Sequence, residues 1–177
     1  LEITHPELDT AITQLMRWWW LGESRAIILA GNSGSGKTTL AQMMEGWGVN
    51  RGYRSHFASE IDLLSEIRRR YDDNSSDLYM QHLKAVGLLI LDDIGTAHYS
   101  QQQWYESIMW KLLDSGFHQK ILITTNLYPK ELSERMGSRG SSRLKELVKP
   151  GFYCQLFSVP DYRERNRKNE QPIFATV

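Results

Sequence analysis

Apolar positions along this chain follow two rhythms. Three stretches are apolar almost without a break: 25–30 (Arg25-Ala26-Ile27-Ile28-Leu29-Ala30), 86–91 (Val86-Gly87-Leu88-Leu89-Ile90-Leu91) and 121–123 (Ile121-Leu122-Ile123), the last running on into Thr124-Thr125-Asn126. Runs without polar alternation predict strands covered on both faces, as in a parallel sheet. Weaker strand patterns lie at 55–58 and 152–159. Between them the spacing turns helical. Residues 6–20 place Leu8, Ile12, Leu15, Met16 and Trp19 on one stripe, with Pro6 in the first turn. A helix from Lys37 through Leu40, Met43 and Met44 is expected to stop at Gly46-Trp47-Gly48. Helices follow at 60–71 (Leu64, Ile67, Tyr71), 78–83, 101–115 (Trp104, Ile108, Leu112) and 131–146. The pattern predicts a three-layer α/β fold around a five-stranded parallel sheet, without a separate lid domain.

The first apolar run breaks into Gly31-Asn32-Ser33-Gly34-Ser35-Gly36-Lys37-Thr38-Thr39. Gly31, Gly36, Lys37 and Thr38 stand at the spacing G-x-x-x-x-G-K-T between a strand and a helix, the phosphate-binding loop. Its glycines let successive N–H groups converge on a polyphosphate, and the helix start adds its positive dipole end. Lys37 supplies a point charge for the β and γ phosphates, and the Thr38 hydroxyl suits magnesium. The predicted ligands are therefore ATP and Mg2+.

Two carboxylates, Asp92 and Asp93, end the 86–91 run, where ligands of parallel sheets collect. Asp92 is read as a holder of the magnesium shell, and Asp93 as the group that orients or deprotonates the attacking water. Asn126 closes the 121–126 strand at the same edge, as a sensor of the γ-phosphate.

Arginines form the other candidate chemistry. Arg68, Arg69 and Arg70 adjoin Tyr71; they suit either a solvated helix end or a compact patch for a nucleic-acid backbone. Arg139 and Arg143 stand four apart, on one face if Gly140 lies within the helix. They are either solvated or presented to a neighbour's nucleotide site. A last basic cluster, Arg163, Arg165, Arg167 and Lys168, is a helix end or another phosphate contact. Trp18-Trp19-Trp20 either pack a helix end on the sheet or lend an indole to an adenine pocket.

Composition narrows the classes. With 21 basic and 21 acidic residues the formal charge is zero, so nucleic-acid affinity has to come from a local patch. An apolar fraction of 41% over 177 residues supports a real core. One cysteine, Cys154, excludes an internal disulfide, and no stretch is long enough to span a bilayer. A cytoplasmic location is expected. The chain begins with Leu, so a piece of something longer is expected.

The ordered set 31–39, 88–95, 121–126, 138–144 and Asp161-Tyr162-Arg163 resembles the AAA+ domain of the DnaC/DnaI helicase loaders and their relative IstB, the transposition helper ATPase. The resemblance implies Asp92 and Asp93 as Walker B, Asn126 as sensor I, Arg143 as trans-acting arginine finger with Arg139 as second candidate, and Arg163 as sensor II. It implies that the helix with Arg68–Arg70 touches single-stranded DNA, and that copies assemble into an ATP-dependent oligomer or filament. Residues 1–168 would form the ATPase domain and 169–177 a tail. The domain that grips the replicative helicase in such loaders would lie outside this chain. The implied function is helicase loading with ATP hydrolysis at subunit interfaces. The alternatives are an IstB-like helper of a transposase, a P-loop small-molecule kinase, and a nucleotide-gated binding module with negligible turnover.

Overall fold

A computed structural model describes residues 5–72, 75–96, 101–114 and 119–162. Five parallel strands, β1 (Ala26–Gly31), β2 (Ser55–Ser59), β3 (Leu88–Ile94), β4 (Lys120–Thr125) and β5 (Tyr153–Leu156), lie in the order β2-β3-β4-β1-β5. Six helices accompany them among the described residues: α1 (Pro6–Leu21), α2 (Lys37–Asn50), α3 (Glu60–Asp72), α4 (Ser76–Ala85), α5 (Gln102–Leu113) and α6 (Pro129–Leu147).

Successive residues of a strand point to opposite faces, so the uninterrupted apolar runs serve two cores at once. Ile27, Leu29, Leu88, Ile90 and Leu122 pack with Leu15, Trp18, Leu40 and Met44 of α1 and α2. Ile28, Leu89, Leu91, Ile121 and Ile123 face the other way, onto Leu64 and Ile67 of α3, Leu83 of α4, Ile108 and Leu112 of α5, and Met136 and Leu144 of α6. The three predicted layers are present.

Several boundaries differ from the sequence reading. α2 continues through Gly46 and Gly48 to Asn50. A Cβ on Gly48 would lie 3.0 Å from Leu88 and 3.2 Å from Trp19, so this glycine serves close helix-to-sheet packing instead of termination. β5 is shorter than 152–159. Ile12 and Tyr71, placed on buried stripes, are 42% and 45% exposed; Ala11, Trp18 and Leu63 take the inward positions. In α6 the interruption falls at Gly137 (φ 69°, ψ 173°), and Gly140 sits buried within helix. A side chain at Gly137 would also strike Glu106, so position 137 has both a backbone and a steric reason to be glycine.

Candidate functional site

Strand order creates the site. β4 lies between β1 and β3, so its polar end, Thr124-Thr125-Asn126, falls between the phosphate loop after β1 and the carboxylates ending β3. The β3–β4 register breaks there: Leu91 pairs with Ile123, but Ile94 with Thr125, leaving one extra residue on β3 at the two aspartates. Asp93 takes φ 60°, a left-handed conformation that aspartate tolerates better than most residues. In a regular strand these side chains would face opposite ways. With the bulge, both serve one site.

One hydroxyl ties the pair together. Thr124 Oγ1 donates to Asp92 Oδ1 at 2.6 Å and accepts the Asp93 N–H at 2.8 Å. Thr38 Oγ1 lies 3.1 Å from both carboxylate oxygens of Asp92, which is 7% exposed. Asn126 Nδ2 donates to Asp93 Oδ1 at 3.1 Å, while Asn126 Oδ1 is buried without a hydrogen-bond partner. That unsatisfied acceptor is costly unless a ligand or water donor meets it.

In the phosphate loop, Gly34 and Gly36 have φ of 74° and 90°. Gly31 answers to a different constraint: its Cβ would lie 2.6 Å from the Leu156 carbonyl oxygen of β5. Lys37 is buried, and its Nζ donates to the carbonyls of Gly31 and Asn32, each at 2.8 Å. Asn32 turns its amide to the Phe157 carbonyl at 2.7 Å. An open cavity of about 440 Å³ lies over the loop, lined by Ser33 through Thr39 and also by Asp93 and Asn126. Leu8 of α1 and Tyr162 complete its wall. The residues fit a nucleotide triphosphate: a cationic, glycine-rich cradle meets an acidic pair across one cavity. They also fit Mg2+, because the Thr38 hydroxyl and the Asp92 carboxylate bring hard oxygen donors together. Among the described residues no cluster of three or more His, Cys, Asp or Glu could hold a metal alone, so such an ion would share its shell with phosphates.

Other predicted residues are dispersed. The tryptophans stay away from this cavity. Trp18 and Trp19 flank Lys120 at the start of β4, the opposite end of the sheet, and Trp20 stacks under Arg51. Leu8 and Tyr162 occupy the wall that an indole would supply in the second of the two readings, whereas Trp18 and Trp19 pack on the sheet as in the first. Arg68, Arg69 and Arg70 divide between two partners. Arg69 and Arg70 pair with Glu66 at 2.8 and 2.7 Å, whereas Arg68 lies over Trp104 at 5.0 Å. These bonds hold the Glu66 carboxyl at about 2, well below its ordinary value. Neither Arg139 nor Arg143 lines its own chain's cavity. Arg143 pairs with Asp114 and Glu146, and Arg139 is exposed over Trp110 at 5.8 Å. Arg163 and the basic residues beyond it lie outside the described residues.

Sequence reasoning gave no role in the site to Thr124, Leu8, Tyr162 or Asp161, although three of them lie within the motifs quoted above. The signal for Thr124 was present: a polar residue two places before Asn126 on an otherwise apolar strand faces the same way. Asp161 lies against Gly34, whose added Cβ would overlap its carboxylate, and Tyr162 N–H donates to the Gly34 carbonyl at 3.2 Å. Nothing in local patterning announces that contact.

The ATP-binding protein of insertion sequence IS1162 from Pseudomonas fluorescens is 26% identical over 123 residues, 70% of this chain and 51% of that protein. Its counterpart from IS21 of Pseudomonas aeruginosa is 28% identical over 122 residues, covering 68% and 45%. The chain thus spans about half the length of these curated relatives. Among solved structures, the DnaC helicase loader superposes with a TM-score of 0.71 at 19% identity, over 88% of this chain and 93% of that one. A replication initiator, DnaA bound to AMPPCP and single-stranded DNA, gives 0.71 at 19%, over 97% and 55%. These likenesses establish the fold, a P-loop α/β domain around a five-stranded parallel sheet. Residues 4–140 match the sequence profile described as IstB-like ATP binding protein, and the chain belongs to that family.

Proposed function

We propose that this chain binds and hydrolyses ATP between copies of itself and couples the cycle to a DNA transposase. The observation that carries the chemistry is the pair Asp93–Asn126, held beside the phosphate loop with one buried amide oxygen unsatisfied. A water seated there would donate one hydrogen to Asp93 and the other to Asn126 Oδ1. As its oxygen bonds to the γ-phosphorus and the bond to the β-bridging oxygen breaks, Asp93 takes the proton and ADP departs. Lys37 and the N–H groups of 34–38 hold the phosphates throughout. Thr38 and Asp92 would hold Mg2+, which supplies neutralisation of the phosphate charge. Leu8 and Tyr162 offer an apolar wall to the base.

The arginine finger belongs on the second half of α6. Arg143 is the finger in this reading, and its bonds to Asp114 and Glu146 are exchanged for a neighbour's γ-phosphate on assembly. Arg139, exposed beside it, is the second candidate. DNA contact is assigned to Arg68, Arg69 and Arg70; Glu66 offsets part of their charge, so binding is weak per copy and gains from an array.

The insertion-sequence relatives support a transposase as partner. Helicase loading is the second reading, supported by likeness to DnaC over nearly that whole structure. Sedimentation of the chain with ADP or a non-hydrolysable ATP analogue, with and without single-stranded oligonucleotide, tests the common part. Assembly driven by analogue plus DNA, and lost in Arg143→Ala, is the expected result. A chain that hydrolyses ATP as a monomer at every concentration overturns it in favour of a kinase-like enzyme. Stimulation by the cognate transposase, against stimulation by a replicative helicase, separates the two partners.

A further inference from the structure

Glu60, in the first turn of α3 directly after β2, is a carboxylate with 0% exposure. A buried carboxylate is expensive unless donors saturate it. Its Oε1 accepts the Gly95 N–H at 3.1 Å and the Tyr105 hydroxyl at 2.7 Å. Burial, and then the Glu60 carboxylate, push the Tyr105 hydroxyl well above its ordinary range, so it remains a donor.

Gly95 stands two residues after Asp93, and both are left-handed, at φ 98° and 60°. Left-handed non-glycine residues persist only where surroundings over-determine them. Five side-chain anchors act over 93–95: Thr124 Oγ1 on the Asp93 N–H, Asn126 on its carboxylate, Thr96 Oγ1 on its carbonyl, Thr125 Oγ1 on the Ile94 carbonyl, and Glu60 on the Gly95 N–H. Thr124 and Asn126 touch Asp93 directly, and Asn126 lines the cavity; Glu60 works from the buried side.

We propose that Glu60 is a positioning residue for Asp93, clamping the backbone behind it so that its carboxylate stays directed at the attacking water. The proposal rests on the hydrolysis reading above. Without the Glu60 acceptor, residues 93–95 relax toward an extended strand and the Asp93 carboxylate swings away from Asn126. Nucleotide binding does not use this clamp, so affinity and turnover respond differently.

The test uses the whole chain with Glu60→Ala, Glu60→Gln and a double variant Glu60→Met/Tyr105→Phe. The double variant removes the Glu60–Tyr105 hydrogen bond at similar volume and leaves an aromatic ring beneath Arg135, so it gives a second variant to read where the alanine one misfolds. Titration with a fluorescent ATP analogue, turnover at saturating ATP, and amide exchange at Gly95 are read together. Glu60→Ala and the double variant should bind the analogue within about twofold of wild type yet turn over at least about tenfold more slowly. Gly95 should exchange about tenfold faster in both. Glu60→Gln keeps a carbonyl acceptor for both donors and should recover turnover to within about threefold. Unchanged Gly95 exchange or unchanged turnover in a folded double variant overturns the proposal. So does a Gln variant as slow as the alanine one, or affinity falling in step with turnover. A wild-type chain that binds nucleotide without hydrolysing it sinks the hydrolysis reading instead; Gly95 exchange then decides the clamp by itself.

Discussion

The two ends of the same parallel sheet are built on opposite principles. At the amino end, Trp18 and Trp19 close over Lys120, whose Nζ donates to the Trp18 carbonyl at 2.9 Å, and Trp19 packs on Tyr53 at 5.1 Å. Burial lowers the Lys120 ammonium from its ordinary value, yet the indole faces and the carbonyl keep it partnered. At the carboxyl end, Asp93 is left-handed, β3 carries a bulge, and Asn126 Oδ1 has no partner. One end is closed, and its own unsatisfied groups, Trp18 Nε1 and Gln119 Oε1, are buried away from the loop cavity. The other holds strain and an unsatisfied acceptor beside an open cavity, the combination expected where a ligand completes the structure.

Substitutions at the two ends should therefore separate binding from stability. Lys37→Ala at the carboxyl end should weaken ATP about 100-fold or more, measured by calorimetric titration, while the Gly31 and Asn32 carbonyls it leaves unpaired should cost only about 1–3 kcal/mol in unfolding free energy. Trp18→Ala at the amino end should do the reverse. It removes a large, fully buried side chain and should cost about 3–5 kcal/mol in denaturant unfolding, while the folded fraction binds ATP normally. Equal loss of affinity from both variants would erase the contrast. Away from the loop cavity, the smallest effect concerns His56 of the edge strand β2. Burial foremost, with His82 nearby, lowers its pKa, against an opposing pull from Glu45. The folded state therefore resists protonating it, and stability should fall as pH drops through the ordinary value of 6.5. His56→Gln should flatten that fall slightly, with nucleotide affinity unmoved.

The carboxyl end was the more legible in sequence, because its parts are local. The glycines, Lys37 and Thr38 lie within one strand-loop-helix unit, and Asp92, Asp93 and Asn126 each close an apolar run. Their mutual arrangement was less so. The bulge is a property of β3 against β4, and the Asp161 contact with Gly34 joins distant parts of the chain. Three adjacent arginines suited either a solvated helix end or a backbone-binding patch; how they pair was not legible, and in α3 Arg69 and Arg70 meet Glu66 while Arg68 lies over Trp104. Of the two readings of the tryptophan triplet, the one that turned it toward the nucleotide rested on α1 leading into β1; the other, a helix end packed on the sheet, is what Trp18 and Trp19 do. In fact α1 runs antiparallel to that approach: Leu8 near its start walls the cavity, and the indoles at its end cap the far edge.

The central claim, that one chain's carboxylates and its neighbour's arginine form a single hydrolytic site, is tested most directly by mixing two inactive variants. Asp93→Asn should lose turnover about 10²-fold or more, and Arg143→Ala about 10³-fold. In an equimolar mixture, an interface with an intact Asp93 site and an intact Arg143 from the adjacent copy forms by chance about one time in four, so about a quarter of wild-type turnover should return. Turnover no higher than the mean of the two variants alone, at concentrations where the wild type assembles, would contradict the shared site.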